Sequence, residues 1–244
     1  MTLAEQTEII QELRPYFCGH SAALQDFLAQ LEAQVRLDKP LFIYGLPGSG
    51  KRVLARLLHR LSPAAGRGFA ELDLSRYAGA ERETHLWTAL KDIFPAGFKP
   101  PQYATVYVQG LAVADILFLI SILEWLAEQK SAQGRSRVLV AVDSRELLES
   151  IPPEFFAKYA LLQIPGLDER LADLPLIVEA VLDDLNRRHG TRLKYLENSL
   201  WAYFLRRGWS GNIDELRYNL EAVIFDLPLD RQDLRLTDLI KSAD

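Results

Sequence analysis

Along the chain, apolar and polar positions change period several times, and each change marks an element. Leu3, Ile9, Ile10 and Leu13 predict a short amphipathic helix over 3–14, ended by Pro15. Ser21 is placed to cap a second helix, with Leu24, Phe27, Leu28, Leu31 and Val35 on one face. Pro40–Tyr44 is an apolar run too short for a helix and reads as a strand. After a glycine-rich loop, Val53, Leu54, Leu57, Leu58 and Leu61 recur at helical spacing until Ser62-Pro63. Phe69–Leu74 alternates as a strand does, and Thr105–Val108 and Arg137–Val142 predict two more. Helices are predicted over His85–Phe94 and Asp115–Gln129, with a loop at Pro95–Pro101. From about Leu171 the period is helical only, over Pro175–Arg188, Asn198–Leu205 and Asn212–Phe225.

Strands alternating with helices predict an α/β sandwich around a mostly parallel sheet, and the later change of rhythm predicts a small all-helical subdomain. The expected divisions are an N-terminal helix or extension over 1–16, an α/β subdomain over 17–170, and a helical subdomain with tail over 171–244.

Composition narrows the function classes. With 49% hydrophobic and 25% charged residues in 244, the chain is an ordinary globular one. A net charge of −5 argues against a general nucleic-acid or anionic-membrane binder. The single cysteine, Cys18, excludes an internal disulfide and a Cys-rich metal site. His20, His59, His85 and His189 lack metal-ligand spacing and read as solvated or capping residues, so no metal site is expected. Trp87, Trp125, Trp201 and Trp209 read as core, and Arg187-Arg188-His189 as a solvated helix end. Ala104–Leu123 carries one charge, Asp115, but Gln109 and Gly110 interrupt it, so strand plus helix is expected rather than a membrane span. The N-terminal residues lack the pattern of a secretory signal, and a cytoplasmic protein is expected.

One segment carries chemistry. Gly45-Leu46-Pro47-Gly48-Ser49-Gly50-Lys51 fits Gly, four residues, Gly-Lys, the phosphate-binding loop, and it sits between the predicted strand and helix as that loop must. Its glycines let backbone amides face phosphate oxygens, the following helix adds its positive end, and Lys51 adds a point charge. The alternative is a glycine turn with no ligand. Arg52 stands where Ser or Thr commonly ligates Mg²⁺, and a guanidinium has no acceptor for that role. The apolar strand that would end in metal-binding and water-activating carboxylates is followed instead by Gln109-Gly110.

Beyond this loop, the chain resembles the AAA+ domain of bacterial sigma-54-dependent transcriptional activators (enhancer-binding proteins) from about Phe17 to Phe225. The likeness rests on Phe17–Gln25, Gly45–Lys51, Leu58–Pro63, Pro165–Arg170, Leu174–Val178 and Asn186–Gly190, and most specifically on Gly208-Trp-Ser-Gly-Asn-Ile-Asp-Glu-Leu-Arg217. It implies a P-loop NTPase-like α/β/α sandwich with a helical lid, and ATP or ADP as ligand. Contacts are expected from Gly45, Leu46, Pro47, Gly48, Ser49, Gly50, Lys51, Arg52 and Val53, from Cys18 and Gly19 near the adenine, and from Arg217.

Departures from the family fall on its working parts. Its Asp-Glu pair is Gln109-Gly110 here, its polar sensor residue aligns with Asp143, and its intersubunit arginines align roughly with Ser150 and Phe156. Its lid arginine is Asp214, while Arg217 keeps the second arginine of that motif. Arg52 matters less, since the family often has Glu there and remains active. The Gly-Ala-Phe-Thr-Gly-Ala loop that engages sigma-54 is not found, the segment from Phe69 to Ala104 being too short for it, and no helix-turn-helix follows Phe225. The favoured expectation is a degenerate nucleotide-binding module that regulates through a protein partner, an active AAA+ relative or a second copy, without direct DNA contact, catalytic residues or a firm Mg²⁺ site. The alternatives are an active ATPase remodelling a protein partner with Asp143 or Glu71, and a nucleotide-free interaction domain.

Overall fold

A computed structural model describes residues 14–35, 39–62, 65–93, 103–128, 137–225 and 227–241. The helix expected over 3–14, apart from Arg14, and the loop at Pro95–Pro101 lie outside these residues. Backbone contacts divide the chain into two compact units. A sheet unit comprises 27–45 and 51–164, and a helical unit comprises 1–26, 46–50 and 165–244.

The sheet unit is built on five strands, β1 (Leu41–Tyr44), β2 (Gly68–Asp73), β3 (Tyr103–Gln109), β4 (Arg137–Val142) and β5 (Ala160–Gln163). They are all parallel, in the order β2-β3-β4-β1-β5. Strand β4 is buried at every position, which explains the apolar run Val138–Val142 that follows Arg137, since a central parallel strand is covered on both faces. Edge strand β2 buries alternate residues, Ala70 and Leu72, and shows the alternation its sequence predicts. Register places Tyr44 beside Val142 and Asp73 beside Gln109, so the C-terminal ends of β1 and β4, and of β2 and β3, finish level.

Helix α1 (Ala22–Val35) precedes β1, and α2 (Lys51–Arg60) follows it. Ser21 Oγ accepts from Leu24 N at 3.3 Å, the cap its sequence position predicts. Helix α2 buries Leu54, Ala55, Leu58 and His59 and packs on β3 and β4. His59 corrects its reading as a solvated or capping residue: it is buried, with Nδ1 2.9 Å from Thr105 Oγ1 of β3. Helices α3 (Ala80–Ile93) and α4 (Ile116–Glu128) complete the alternation, α3 starting one turn before its predicted beginning. Val106, Val108, Leu119, Leu123, Val138 and Val140 belong to one buried apolar cluster. Each large side chain of this kind contributes about 1.5–3 kcal/mol by leaving water.

Two short helices, α5 (Arg145–Glu149) and α6 (Pro153–Lys158), and strand β5 were not legible in the periodicity. At four to six residues each, they carry too few positions to show a period.

In the helical unit, α7 (Leu174–His189), α8 (Asn198–Arg206) and α9 (Asn212–Ile224) match the three predicted helices within one or two residues. Leu174, Ile177, Val178, Val181 and Leu185 form the buried stripe of α7, which Gly190 closes in the left-handed conformation (φ 72°). The unit is not helical throughout. Tyr195–Leu196 (β6) and Asp233–Leu234 (β7) form a two-residue parallel ladder, and a last helix, α10, spans Leu236–Lys241. Trp209 is buried, as expected for a core tryptophan, and its Nε1 donates to the Phe204 carbonyl at 3.0 Å.

Candidate functional site

Within the sheet unit, Lys51 is the first residue of α2, and β1 leads to Gly45 just before the glycine loop. Gly45 N donates to Val142 O at 3.1 Å, which ties the loop's start to the end of β4. Because β4 lies beside β1, Asp143 stands next to the lysine. Lys51 Nζ is 2.7 Å from Asp143 Oδ1 and donates to Gly45 O at 2.6 Å, with the Lys51 side chain 8% and the Asp143 side chain 39% exposed. Asp143, weighed in the sequence as an unusual catalytic group, is thus the counter-ion of the loop lysine.

A second ion pair lies at the β2–β3 edge. Arg52 is 2.7 Å from Glu71 Oε1, Arg56 approaches the same carboxylate at 3.7 Å, and Gln109 Nε2 donates to it at 3.4 Å. Asp73 accepts from Ser75 N at 3.0 Å and Ser75 Oγ at 2.6 Å. Burial pushes its carboxyl up, but hydrogen bonds from Ser75 and Gln109, with the charge of Arg76, outweigh that and hold it below the usual carboxylate range. Burial, then the charges of Asp143 and Glu71, push the Tyr107 phenol above its ordinary value. Val53, on α2, is half-buried.

In the helical unit, loop residues 46–50 are held by their own neighbours. Ser49 N donates to Leu46 O at 3.2 Å, closing a turn. Gly48 (φ 72°) and Gly50 (φ 95°) take conformations that favour glycine. A Cβ at Gly48 would overlap the Gly211 carbonyl oxygen, and one at Gly50 would lie 2.6 Å from the Tyr16 ring. Asn212, buried and at φ 51°, donates from Nδ2 to Pro47 O at 2.8 Å and accepts from Leu167 N at 2.8 Å. Tyr16 OH donates to Asp214 Oδ1 at 2.6 Å. Asn212 and Tyr16 were missed as loop supports in the sequence, although Asn212 lies inside the most specific family segment.

Gly19 (φ 137°) faces the Asp173 carboxylate, which would overlap any Cβ there. Asp173 accepts from His20 N at 2.7 Å and Ser21 N at 2.9 Å. Burial pushes the Cys18 thiol up. Arg217 is engaged on α7, with Nη1 2.6 Å from Asp184 Oδ2. Ser150 donates its hydroxyl to Leu147 O at 2.7 Å, and the Phe156 ring meets Phe42 at 5.9 Å, so neither position offers a cation.

The residues present fit a phosphate. In the sheet unit a buried ammonium heads a ten-residue helix, and in the helical unit, taken by itself, Ser49 Oγ is buried without a hydrogen-bond partner among the described residues. They do not fit a protein-held divalent cation. Arg52 is a cation bound to Glu71, Gln109 is an amide, and no cluster of three metal-ligating side chains occurs among the described residues. None of the described helices is long and apolar enough to cross a membrane.

Comparison with known proteins agrees with this architecture. Residues 17–98 match the sigma-54 interaction domain family and residues 168–242 the AAA+ ATPase lid domain family. The chain is 26% identical over 98% of its length to the C4-dicarboxylate transport transcriptional regulatory protein DctD of Pseudomonas aeruginosa, covering 55% of that protein. It is 23% identical over 92% of its length to the formate hydrogenlyase transcriptional activator of Salmonella typhimurium, covering 35% of it. The chain therefore spans about a third to just over half of the length of the curated relatives it matches. The crystal structure of NtrX from Brucella abortus in complex with ATP shares the fold at a TM-score of 0.68 and 19% identity, over 97% of this chain and 59% of that one.

Proposed function

We propose that this chain, which belongs to the AAA+ domains of the sigma-54-dependent transcriptional activators, binds ATP or ADP and acts as a regulatory module through protein contacts, with little or no hydrolysis of its own. The observation that carries the reading is the end of β3, where Gln109 offers an amide in place of a carboxylate. Lys51 and the N-terminus of α2 would hold phosphate, and Ser49 Oγ has hydrogen-bonding capacity left for it. A bound nucleotide supplies the phosphate anion and, in ATP, a hydrolysable anhydride. Hydrolysis in loops of this kind uses Mg²⁺ beside the phosphates, commonly held by a carboxylate at the end of such a strand. Two carboxylates that meet these residues in the sheet unit, Glu71 and Asp143, are already ion-paired to Arg52 and Lys51.

Nucleotide binding draws support from the likeness to NtrX, which was crystallised with ATP. A protein partner draws support from the sigma-54 interaction family matched over 17–98. The partner we favour is an active AAA+ relative or a second copy, which would supply the cations absent at Ser150 and Phe156. A net charge of −5 disfavours direct DNA contact.

Calorimetry with ADP and ATP beside a phosphate-release assay tests the reading. Lys51→Ala is expected to weaken binding by ~1.5–3 kcal/mol, the worth of a charge-assisted hydrogen bond. Turnover should not exceed that of the same variant. Steady turnover abolished by Lys51→Ala would instead establish an active ATPase, and absence of nucleotide binding would leave an interaction domain.

A further inference from the structure

We propose that Asp143 is a specificity-determining residue that makes this chain a nucleoside-diphosphate binder, discriminating against the triphosphate. The inference rests on the nucleotide-binding reading above and adds which nucleotide is held. In loops of this pattern, backbone amides cradle the α- and β-phosphates, while the lysine reaches the β- and γ-phosphates, so only the γ-phosphate lacks the amides. Affinity for a third phosphate therefore depends on the lysine and on any metal. Here the lysine's charge is already matched, since Asp143 Oδ1 lies 2.7 Å from Nζ and the Gly45 carbonyl takes a second of its protons at 2.6 Å.

An outer phosphate oxygen bound to Lys51 would share one tetrahedral nitrogen with a carboxylate oxygen. Two acceptors on such a nitrogen stand about 4.6 Å apart, close enough for strong like-charge repulsion when the ammonium is buried. The β-phosphate meets the same lysine but is held by amides as well, so it depends less on that charge than the γ-phosphate does. Gly45 N is bonded to Val142 O and fixes the strand end that carries Asp143, so relief requires the Asp143 side chain to turn away and give up its ion pair with Lys51. A divalent cation is the usual remedy for such repulsion. Gln109 is an amide, and Glu71 is bound to Arg52, so neither offers a free carboxylate to hold one.

The test is calorimetry of the full chain with ADP and with ATP, each in EDTA and in Mg²⁺, for the wild type and Asp143→Asn. The expected result is ADP binding about tenfold or more tighter than ATP in both buffers. Asp143→Asn, which keeps the shape and removes the charge, should bring ATP to within about threefold of ADP. Equal binding in the wild type, or tighter binding of ATP, overturns the proposal while leaving nucleotide binding intact. Mg²⁺ that favours ATP in the wild type but not in Asp143→Asn also overturns it, by making Asp143 a metal ligand. Binding of neither nucleotide removes both readings. The wild-type ratio decides the case even if the variant does not fold.

Discussion

Replacing Asn212 probes the support beneath the glycine loop. This residue is buried at φ 51° and holds two backbone groups, Pro47 O and Leu167 N, at 2.8 Å each. Asn212→Ala removes both partners. The Leu167 amide belongs to a buried residue, and leaving such a donor unpaired costs about 1–3 kcal/mol. Pro47 is exposed and its carbonyl regains water, so its share is smaller, about 0.5–1.5 kcal/mol. Alanine at positive φ adds about 1 kcal/mol that asparagine and glycine largely avoid. The sum is about 2.5–5.5 kcal/mol, a large fraction of a typical domain stability. Asn212→Gly loses the hydrogen bonds but not the backbone preference, so it should be the milder change by about 1 kcal/mol. That order reverses what helix propensity gives at an ordinary helical position. Urea unfolding followed by far-ultraviolet circular dichroism and tryptophan fluorescence, which includes buried Trp209, measures both variants. Losses below 1 kcal/mol in both, or alanine matching glycine, would refute this account of Asn212.

Two further predictions follow from local geometry. Gly48→Ala should destabilise the helical unit by about 2 kcal/mol or more, through a left-handed φ and overlap with the Gly211 carbonyl, and a Tm within 1 °C of wild type would contradict it. Burial lowers the His59 pKa below the ordinary histidine value, so the unfolded chain binds more protons as pH falls past that value; the His59 contribution is complete above it and is lost as pH falls through the lower folded value. His59→Asn should therefore flatten the fall in urea midpoint between pH 7 and pH 5, and an unchanged slope would assign the acid loss to other groups.

Much of the sheet unit was legible because a central parallel strand favours near-continuous apolar residues, and Val138–Val142 is such a run. The helices of the helical unit were equally plain, since long amphipathic stripes repeat often enough to fix a period. The glycine loop was readable from its spacing alone. What local pattern could not supply was partnership. His59 was read as solvated because a histidine on a helix face gives no sign of which strand that face meets; Thr105 of β3 decides it. Strand β5 is four residues long and half-covered at the sheet edge, below what alternation can register.

By itself, then, the sequence determined the longer elements, the parallel sheet and the phosphate-loop pattern, all written in short-range spacing. Tertiary structure alone decided which charges meet. Strand order sets β4 beside β1 and so aims Asp143 at Lys51, and packing of β2 on β3 lets Glu71 meet Gln109 as well as Arg52. The conformation at Asn212 lets one buried side chain hold Pro47 from far along the chain. Such pairings depend on where distant segments finish in space, and residue spacing holds no measure of that distance.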